Sequence, residues 1–382
     1  MSADSNPVAE FEKFAAPFGD NPATREWKKA GKKIIAFECT YVPEEIIYAA
    51  GALPIRLVGD SQLSNYDEAN AYMYQNTCSF IRNCLQLVLR HRYEFLDGFV
   101  AGSTCDCSRR LADVWEHYRF TPLIHTLGVP RKISSSAYEL YESELHKMLD
   151  KLVQFTGTPV SSELLQETIQ LFNRKRSLIR ELYKMTRLEQ PPIVGSELLT
   201  ILNASVSMPP LLFNDMMEEL IAQLKNNPRK LEGKFRIMVS GSPLNSPEFM
   251  RIIEKMGGLV VIDELCTGVR YWWEQIDPNP DPIKAISQRY LHNFACPRME
   301  PSDDRFQRIL KLVRDFRVDA VITQMVPYCV PQTMEQPMVR KLLEGQNIPV
   351  LELDMEYGAV NTGQITTRLQ AFFEMLRERS IR

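Results

Sequence analysis

The sequence predicts an α/β protein with two Rossmann-like lobes, each built on a parallel sheet, and a helical insert between them. Short apolar runs alternate with amphipathic helical segments in the first third of the chain, the alternation then stops, and it resumes towards the C terminus. Strands that alternate with helices form parallel sheets with helices on both faces. We therefore expect an N-terminal α/β lobe over 1–133, a helical linker domain over 134–232 and a C-terminal α/β lobe over 233–382.

The N-terminal lobe contains four apolar runs that are typical of buried strands: KKIIAFEC, LPIRLVG, GFVAGS and TPLIHTLGVP. A helix is predicted after the first run, because Pro43 suits a first turn and the carboxylates of Glu44 and Glu45 favour the positive end of a helix. Further helices are predicted at SFIRNCLQLVLRHRYEFL and DCSRRLADVWEHYR, where apolar residues recur at helical spacing.

From Ser134 to Glu232 no strand pattern appears, and amphipathic segments predict helices. Four further strands are then predicted at FRIMVSG, GLVVIDEL, VDAVITQMVP and IPVLELD, with helices at SPEFMRIIEKMG, DDRFQRILKLVRDF, QPMVRKLLEGQ and TGQITTRLQAFFEMLRER. Each lobe thus has four predicted strands and a cysteine after the third, Cys105 in the first lobe and Cys329 in the second. The lobes are therefore predicted to be pseudo-repeats whose strand ends face each other across a cleft.

The composition indicates an ordinary globular protein, with 45% hydrophobic and 24% charged residues. A net charge of -3 gives no reason to expect nucleic acid or an anionic membrane surface as a partner. No apolar run approaches the roughly 20 residues of a membrane helix, and the N-terminal segment lacks the apolar centre of a signal peptide. We therefore expect a cytoplasmic protein whose eight cysteines stay reduced.

Three cysteines stand where a metal site is expected: Cys78 in NTCSF, Cys105 in GSTCDCSRRL and Cys329 in VPYCVPQ. Each lies where a strand or loop leads into a helix, and ligands of open α/β sheets collect beyond the strand ends, near helix N-termini. Thiolates are stabilised there and are soft donors suited to iron–sulfur clusters. From the residues alone, three buried structural thiols remain an alternative, because the spacing is long-range and contains no CxxC pair.

The other cysteines carry a weaker signal. Cys84 lies on the apolar face of a predicted helix, which favours a role in the core. Cys107 is expected to point away from a ligand held at the start of its helix, and would act beside the site or as an extra ligand of a larger cluster. For Cys39, Cys266 and Cys296, a role in the cleft and a structural role both remain open.

Motifs of several other chemistries are absent from the sequence. There is no GxxxxGK[ST] phosphate loop, so this chain is not expected to hydrolyse ATP itself. No GxGxxG follows the first strand, which argues against a nicotinamide or flavin dinucleotide site. Neither GxSxG nor HExxH occurs, and the five histidines are scattered, so a histidine-based catalytic network is not indicated.

Several segments together resemble the 2-hydroxyacyl-CoA dehydratase and benzoyl-CoA reductase family over nearly the whole chain: CTYVPEEIIYAAGALPIRL, NTCSFIRNCLQ, LDGFVAGSTCD, VVIDELCTGVRYWW, VPYCVPQ and ELDMEYGAVNTGQITTRLQAFFEM. The resemblance implies a two-lobed subunit that holds a [4Fe–4S] cluster, or a larger double-cubane cluster, through Cys78, Cys105 and Cys329. It also implies a homologous second subunit, a separate ATP-hydrolysing iron–sulfur activator and ferredoxin as electron donor. The missing phosphate loop agrees with this division of labour.

The family covers two reactions. Its dehydratases recycle one electron to convert a 2-hydroxyacyl-CoA into an enoyl-CoA through a ketyl radical. Its benzoyl-CoA reductases add two electrons and two protons to the aromatic ring, which gives a cyclohexadiene carbonyl-CoA. The segments DELCTGVRYWW and HNFACPRM and the residue Tyr48 look more like the reductase branch, which we therefore expect. A dehydratase subunit, or an electron-transfer or scaffold subunit without its own substrate site, remain the alternatives.

Two groups of side chains are candidates for work on the substrate. Tyr271, Trp272 and Trp273 would suit a flat aromatic acyl group in an apolar pocket, or would form ordinary helix core. Glu44 and Glu45 could supply a proton, although carboxylates in the first turn of a helix also stabilise it by themselves.

Asp106 is a further polar residue near the expected site. It is expected to be the N-cap of the helix that follows Cys105 and to contact the ligands of the cluster without binding the metal itself. The acid that supplies the proton is therefore not identified from the sequence.

Overall fold

The computed structural model describes residues 6–16, 18–63, 65–229, 231–292, 296–358 and 363–379. Within these ranges the strands form two four-stranded parallel sheets. The first sheet contains β1 (Ile34–Phe37), β2 (Leu53–Arg56), β3 (Gly98–Ser103) and β4 (Leu123–Gly128). The second contains β5 (Phe235–Gly241), β6 (Gly258–Glu264), β7 (Ala320–Met325) and β8 (Val350–Asp354). The predicted α/β class and all eight predicted strands are confirmed.

The two sheets have the same topology. The strand order is β2-β1-β3-β4 in the first sheet and β6-β5-β7-β8 in the second. In each sheet, the second strand lies on one side of the first strand, and the third and fourth strands lie on the other side. This change of direction opens a crevice beyond the carboxyl ends of the first and third strands. The prediction of two pseudo-repeated lobes is therefore confirmed.

The described residues of the first lobe form six helices: α1 (Ala9–Glu12), α2 (Pro22–Lys29), α3 (Glu44–Ala49), α4 (Asp67–Asn70), α5 (Ser79–Leu89) and α6 (Asp106–Tyr118). The helices predicted at α3 and α6 are confirmed, and α5 begins where predicted. The prediction that α5 continues to Leu96 is wrong. It ends at Leu89 because His91 adopts a left-handed backbone with φ 61°, which breaks the helical path.

The insert consists of four helices among its described residues: α7 (Ser135–Thr156), α8 (Ser162–Met185), α9 (Gly195–Ser205) and α10 (Pro210–Asn226). Helix α9 was not predicted. Every residue of α9 is at least nine-tenths buried except Glu197, so the helix has no exposed face to mark its orientation in the sequence. Side chains from both lobes and from the insert share one apolar core, which includes Ile35, Ile179 and Val261. The boundaries proposed at 133 and 232 stay predictions.

The second lobe contains α11 (Pro247–Lys255), α12 (Val269–Trp272), α13 (Pro282–His292), α14 (Asp303–Asp315), α15 (Val330–Glu344) and α16 (Gly363–Arg379). The predicted helices at α11, α14 and α16 are confirmed; Thr362, the first residue predicted for the last one, lies outside the described residues. Helix α15 begins directly after Cys329, six residues earlier than predicted, and carries Pro337 inside it. None of the helices in the described ranges combines the length and apolar character needed to cross a membrane.

Tyr357 links the two lobes. It follows β8 of the second lobe, and only 4% of it is exposed. Its hydroxyl donates to the side chain of Asn245 and accepts from the backbone N–H of Gly59 at 3.1 Å, in the loop after β2 of the first lobe. Its ring packs edge-on against Phe80 with centroids 5.2 Å apart. These contacts hold the second lobe against the first.

We expect Tyr357→Phe to lower the free energy of unfolding by about 1–3 kcal/mol, because it leaves buried partners on both lobes without their hydrogen bond. Chemical denaturation followed by tryptophan fluorescence measures this change. Tyr74→Phe is the matched control: Tyr74 is 84% exposed, so its change should stay within about 0.5 kcal/mol. Equal stabilities of the two variants would contradict a linking role for Tyr357.

Candidate metal centre

The three cysteines predicted to bind metal occupy equivalent positions at the starts of helices. Cys78, Cys105 and Cys329 are the N-cap residues of α5, α6 and α15. The backbone N–H of Ser108 donates to the Sγ atom of Cys105 at 3.4 Å. An unpaired N–H group and the positive end of the helix dipole both favour a sulfur that carries negative charge. The predicted placement at transitions into helices is therefore confirmed.

These cysteines line one cavity of about 500 Å³ between the lobes. Cys78 and Cys105 belong to the first lobe and Cys329 to the second. Every cysteine of the chain except Cys84 lines the same cavity, and all eight are free thiols. Cys84 is completely buried in the core of the first lobe, as predicted. Cys39, Cys266 and Cys296 thus lie in the cleft, which is one of the two possibilities that the sequence left open.

The expectation that Cys107 points away from the site is wrong. The backbone N–H of Cys78 donates to the Sγ of Cys107 at 3.4 Å, and this sulfur also lies 3.9 Å from the carbonyl oxygen of Tyr328. Cys78 and Tyr328 are distant from Cys107 in the sequence, so the contacts that show its direction are not local. Cys107 lines the same cavity as Cys105.

Hydrogen bonds among the neighbouring thiols decide which of them ionises first. Hydrogen bonds to Cys107, followed by burial, raise the pKa values of Cys78 and Cys105. Cys107 accepts those bonds, and they lower its own pKa. Burial raises the pKa of Cys329 to about 11. Since metals bind thiolates, a metal that enters this cavity must displace protons from several thiols.

Buried arginines bring positive charge to the cavity wall. Arg56 donates to the carbonyl oxygen of Cys266 at 2.7 Å, and its Nη2 lies 3.6 Å from the Sγ of that cysteine. Arg298 donates to three carbonyl oxygens, those of Thr104, Val129 and Pro130 at 2.7–3.0 Å. Within the described part of the chain, neither forms an ion pair with a carboxylate. Their charge therefore favours an anionic occupant.

A third guanidinium group is held by the end of β5. Arg270 donates to the carbonyl oxygen of Gly241 at 2.6 Å and pairs with Glu264 at 3.2 Å. Gly241 has φ +128°, and a Cβ atom there would lie 1.8 Å from the carbonyl oxygen of Gln324. Only glycine fits this position. The close approach between the ends of β5 and β7 shapes the second-lobe wall of the cavity.

Glu38 is a cavity residue that the sequence analysis missed. It follows β1 directly, and its side chain is 4% exposed. The Oε1 atom accepts hydrogen bonds from the backbone N–H of Gly102 at 2.9 Å and from the hydroxyl of Ser108, whereas Oε2 has no hydrogen-bond partner. Burial raises the pKa of Glu38 to about 7. Its position at a strand end was the available signal, as it was for Cys105.

Glu44 and Glu45, which the sequence offered as possible proton donors, do not contribute to this cavity as Glu38 does. Glu44 and Glu45 lie in the first turn of α3 but face α8, where Glu44 pairs with Lys175 at 3.6 Å and Glu45 pairs with Arg176. Neither lines the cavity. Their interpretation as structural carboxylates is therefore the one that the structure favours.

The predicted N-cap role of Asp106 is wrong, because Cys105 caps α6 and Asp106 is the first residue of the helix. Asp106 reaches the rim of the cavity, where its side chain is 83% exposed.

The aromatic residues proposed for substrate binding lie elsewhere. Tyr271 and Trp272 are completely buried in the main core. Neither these two residues nor Trp273 lines the cavity. Tyr271 packs under Arg56, 5.3 Å from ring centroid to guanidinium carbon. The proposed contact of the trio with a substrate ring in this cavity is wrong, and the alternative of helix core is confirmed for Tyr271 and Trp272. Tyr48 packs on Phe172 and lies outside the cavity.

The thiols that line the cavity are soft donors of the kind that iron–sulfur clusters use. Within the described ranges, no group of three His, Cys, Asp or Glu side chains is spaced to hold one metal ion. Here seven thiols surround one space, three of them at helix N-termini, and buried guanidinium groups balance negative charge.

Comparison with known proteins places these features in a family. Residues 39–376 match the family model described as 2-hydroxyglutaryl-CoA dehydratase, D-component. The chain is 26% identical over 360 residues to YjiM of Escherichia coli (strain K12), which carries the provisional name of a dehydratase subunit (91% of this chain, 93% of that one). It is 25% identical to a subunit of the benzoyl-CoA reductase of Thauera aromatica (91% of each chain). It is 22% identical to the (R)-phenyllactyl-CoA dehydratase beta subunit of Clostridium sporogenes (97% and 100%).

Proposed function

This chain belongs to the family of the 2-hydroxyglutaryl-CoA dehydratase D-component, and we propose that it is the iron–sulfur subunit of an ATP-dependent reductase of the benzoyl-CoA reductase type. Such an enzyme adds two low-potential electrons and two protons to the ring of an aromatic acyl-CoA and forms a cyclohexadiene carbonyl-CoA. The observation that carries the proposal is the convergence of seven cysteines from both lobes on one largely apolar cavity.

Cys78, Cys105 and Cys329 would hold a [4Fe–4S] cluster, which supplies single electrons at low potential when bound. Cys107, Cys266 and Cys296 line the same cavity and could provide the further thiolates that a double-cubane cluster needs. With three protein ligands, one iron would stay open, like the open position of a catalytic zinc. Free thiols also suit the reducing, cytoplasmic location that we propose.

The residues around the thiols suit an acyl thioester. When a thioester accepts an electron, negative charge develops on its carbonyl oxygen, and preorganised donors in a dry site stabilise that charge. The buried guanidinium groups of Arg56, Arg270 and Arg298 are held in place by backbone carbonyl oxygens at the cavity wall. A volume of about 500 Å³ is in the range of small-molecule pockets and suits the acyl end of the substrate.

The reductase branch is favoured over the dehydratase by Cys266 and Cys296. Their segments look more like the reductase branch, and both residues line the cavity, although residues 293–295 of HNFACPRM lie outside the described residues. The dehydratase is the second candidate, because a phenyllactyl-CoA dehydratase subunit matches nearly the whole chain. An electron-transfer subunit without a substrate site is less well supported, since the thiols line an open cavity rather than a closed wall.

The proposal includes partner proteins. The relatives are named as subunits, and the sequence has no phosphate loop, so a homologous second subunit, an ATP-hydrolysing activator and ferredoxin would complete the system. An exposed apolar stripe lies at the mouth of the cavity, formed by Tyr328, Val330, Met334 and Met338, which are 51–70% exposed. Exposed apolar stripes of this kind are typical of surfaces that a partner covers.

We expect Cys78→Ser, Cys105→Ser and Cys329→Ser each to lower the iron content and to abolish acyl-CoA turnover, because each removes one thiolate ligand. Iron and acid-labile sulfide per chain are measured after anaerobic purification. Cys84→Ser is the control and should leave both nearly unchanged, since Cys84 lies in the core and outside the cavity. Full iron content in all three variants would rule out this ligand set.

The same measurement distinguishes the two cluster sizes. About four iron atoms per chain indicate one cubane, and about eight indicate a double cubane. In the second case Cys107→Ser, Cys266→Ser and Cys296→Ser should also lose iron.

We expect the isolated chain neither to bind nor to hydrolyse ATP, and turnover to require the homologous subunit and the activator. Given benzoyl-CoA, reduced ferredoxin and ATP under anaerobic conditions, the complete system should form a cyclohexadiene carbonyl-CoA and consume ATP at every turnover. Chromatography of the products and a phosphate assay measure both. Conversion of a 2-hydroxyacyl-CoA to the enoyl-CoA, with ATP needed only to start the reaction, would instead establish the dehydratase.

A further inference from the structure

The candidate for a proton-transfer residue is Glu38, at the point where the first sheet opens. Strand β1 lies between β2 and β3, and the crevice beyond the ends of β1 and β3 is where ligands of such sheets bind. Glu38 directly follows β1, and Ser103 ends β3. Glu38 and Cys105 are therefore both residues that line the same cavity.

The two oxygens of Glu38 have different surroundings. Oε1 accepts a hydrogen bond from the backbone N–H of Gly102 and lies within hydrogen-bond distance of the Ser108 hydroxyl, whose oxygen is also 2.7 Å from the carbonyl oxygen of Gly102. Oε2 is buried and has no hydrogen-bond partner. A buried polar atom without a partner is costly, and a ligand in the cavity could remove that cost. One oxygen thus positions the group while the other is available to exchange a proton.

Other acidic groups that line the cavity are less suited to this task. Glu335 is paired with Arg305 inside the second lobe, and Glu300 is paired with Arg131 at 2.9 Å on the surface. Asp106 is largely exposed to solvent. Among the described residues, Glu38 is the buried carboxyl group of the cavity that lacks an ion-pair partner. It can therefore hold its proton in a dry site.

The charged and titratable groups around Glu38 keep its proton exchangeable near neutrality. Arg56 reaches it from β2, donating from Nε to the Glu38 carbonyl oxygen at 3.3 Å, and Cys39 and Cys84 face it from the chain itself and from α5. Burial raises the pKa of Glu38, and the hydrogen bonds from Ser108 and Gly102 and the charge of Arg56 limit the rise, to about 7. Proton transfer is most efficient when the pKa lies near the working pH.

We propose that Glu38 exchanges one proton with the acyl group bound in this cavity, with Ser108 as the residue that positions it. The inference rests on the proposed function. In the reductase, a low-potential electron-donor protein supplies two electrons; the O–H bond of Glu38 breaks, a ring C–H bond forms, and water returns a proton to the carboxylate. Solvent supplies the second proton. In the dehydratase the carboxylate would accept the β-proton, which leaves with the hydroxyl group as water.

The test compares Glu38→Gln with wild type in the assembled complex. Glutamine keeps the shape of the protonated acid and loses the exchangeable proton, so the iron content and the visible spectrum should stay unchanged. The infrared carbonyl band of a buried protonated carboxyl should disappear, which is a readout independent of turnover. With benzoyl-CoA as the probe, kcat should fall by about 10²–10⁴-fold at nearly constant KM. Glu68→Gln, on the surface of the first lobe and outside the cavity, is the matched control and should retain wild-type values.

The pH profile gives a second readout. An acid works while protonated, so wild-type kcat should fall as the pH rises through about 7, and Glu38→Gln should lose that dependence. Glu38→Asp should recover part of kcat together with the pH dependence. If Glu38→Gln loses iron, an iron-loaded Glu38→Asp tests the inference instead. Its shorter side chain should lower kcat without changing the iron content.

Two results would overturn the inference in distinguishable ways. An iron-loaded Glu38→Gln or Glu38→Asp with wild-type kcat and pH profile would remove Glu38 from the reaction and leave the proposed function standing. Failure of the wild-type complex to convert either benzoyl-CoA or a 2-hydroxyacyl-CoA would remove the proposed function, and the inference with it.

Discussion

The position of one lobe relative to the other is the constraint on which the candidate site depends. Two of the predicted ligands come from the first lobe and the third from the second, so a small relative shift would separate them. Buried hydrogen bonds across the cleft oppose such a shift, notably those of Tyr357 to Gly59 and of Arg56 to Cys266. The loss of one partner of a buried hydrogen bond costs free energy, so these bonds favour one arrangement of the two lobes.

Main-chain carbonyl groups hold the guanidinium groups at the cavity wall, which explains how so much charge can be buried there. Each guanidinium group donates to backbone carbonyl oxygens, so hydrogen bonds offset the cost of removing its charge from water. Helix N-termini add N–H groups beside three sulfurs. These donors are fixed before any ligand arrives, and preorganised dipoles of this kind stabilise negative charge at low cost.

The sequence predicted the strands, the pseudo-repeat and the three cysteines at helix starts, because buried parallel strands and capped helices leave local patterns. It did not predict α9, which is buried on all sides, or the inward direction of Cys107, which is shown by contacts with Cys78 and Tyr328 far away in the sequence. Glu38 was missed because a glutamate after a strand looks like a surface residue, and its burial results from contacts with a distant helix. The role of the aromatic residues after β6 stayed open for a related reason, since local sequence cannot tell a pocket wall from a core.

The shared strand order has a consequence for the origin of the molecule. Cys105 and Cys329 both follow the third strand of their sheets, and both cap the next helix. These two positions are therefore equivalent within their lobes. Cys78 and Cys266 likewise each follow the second strand of their sheets and line the cavity. A lobe of this topology thus offers the same two places for a cysteine in either half of the chain, as duplication of one ancestral lobe would leave them.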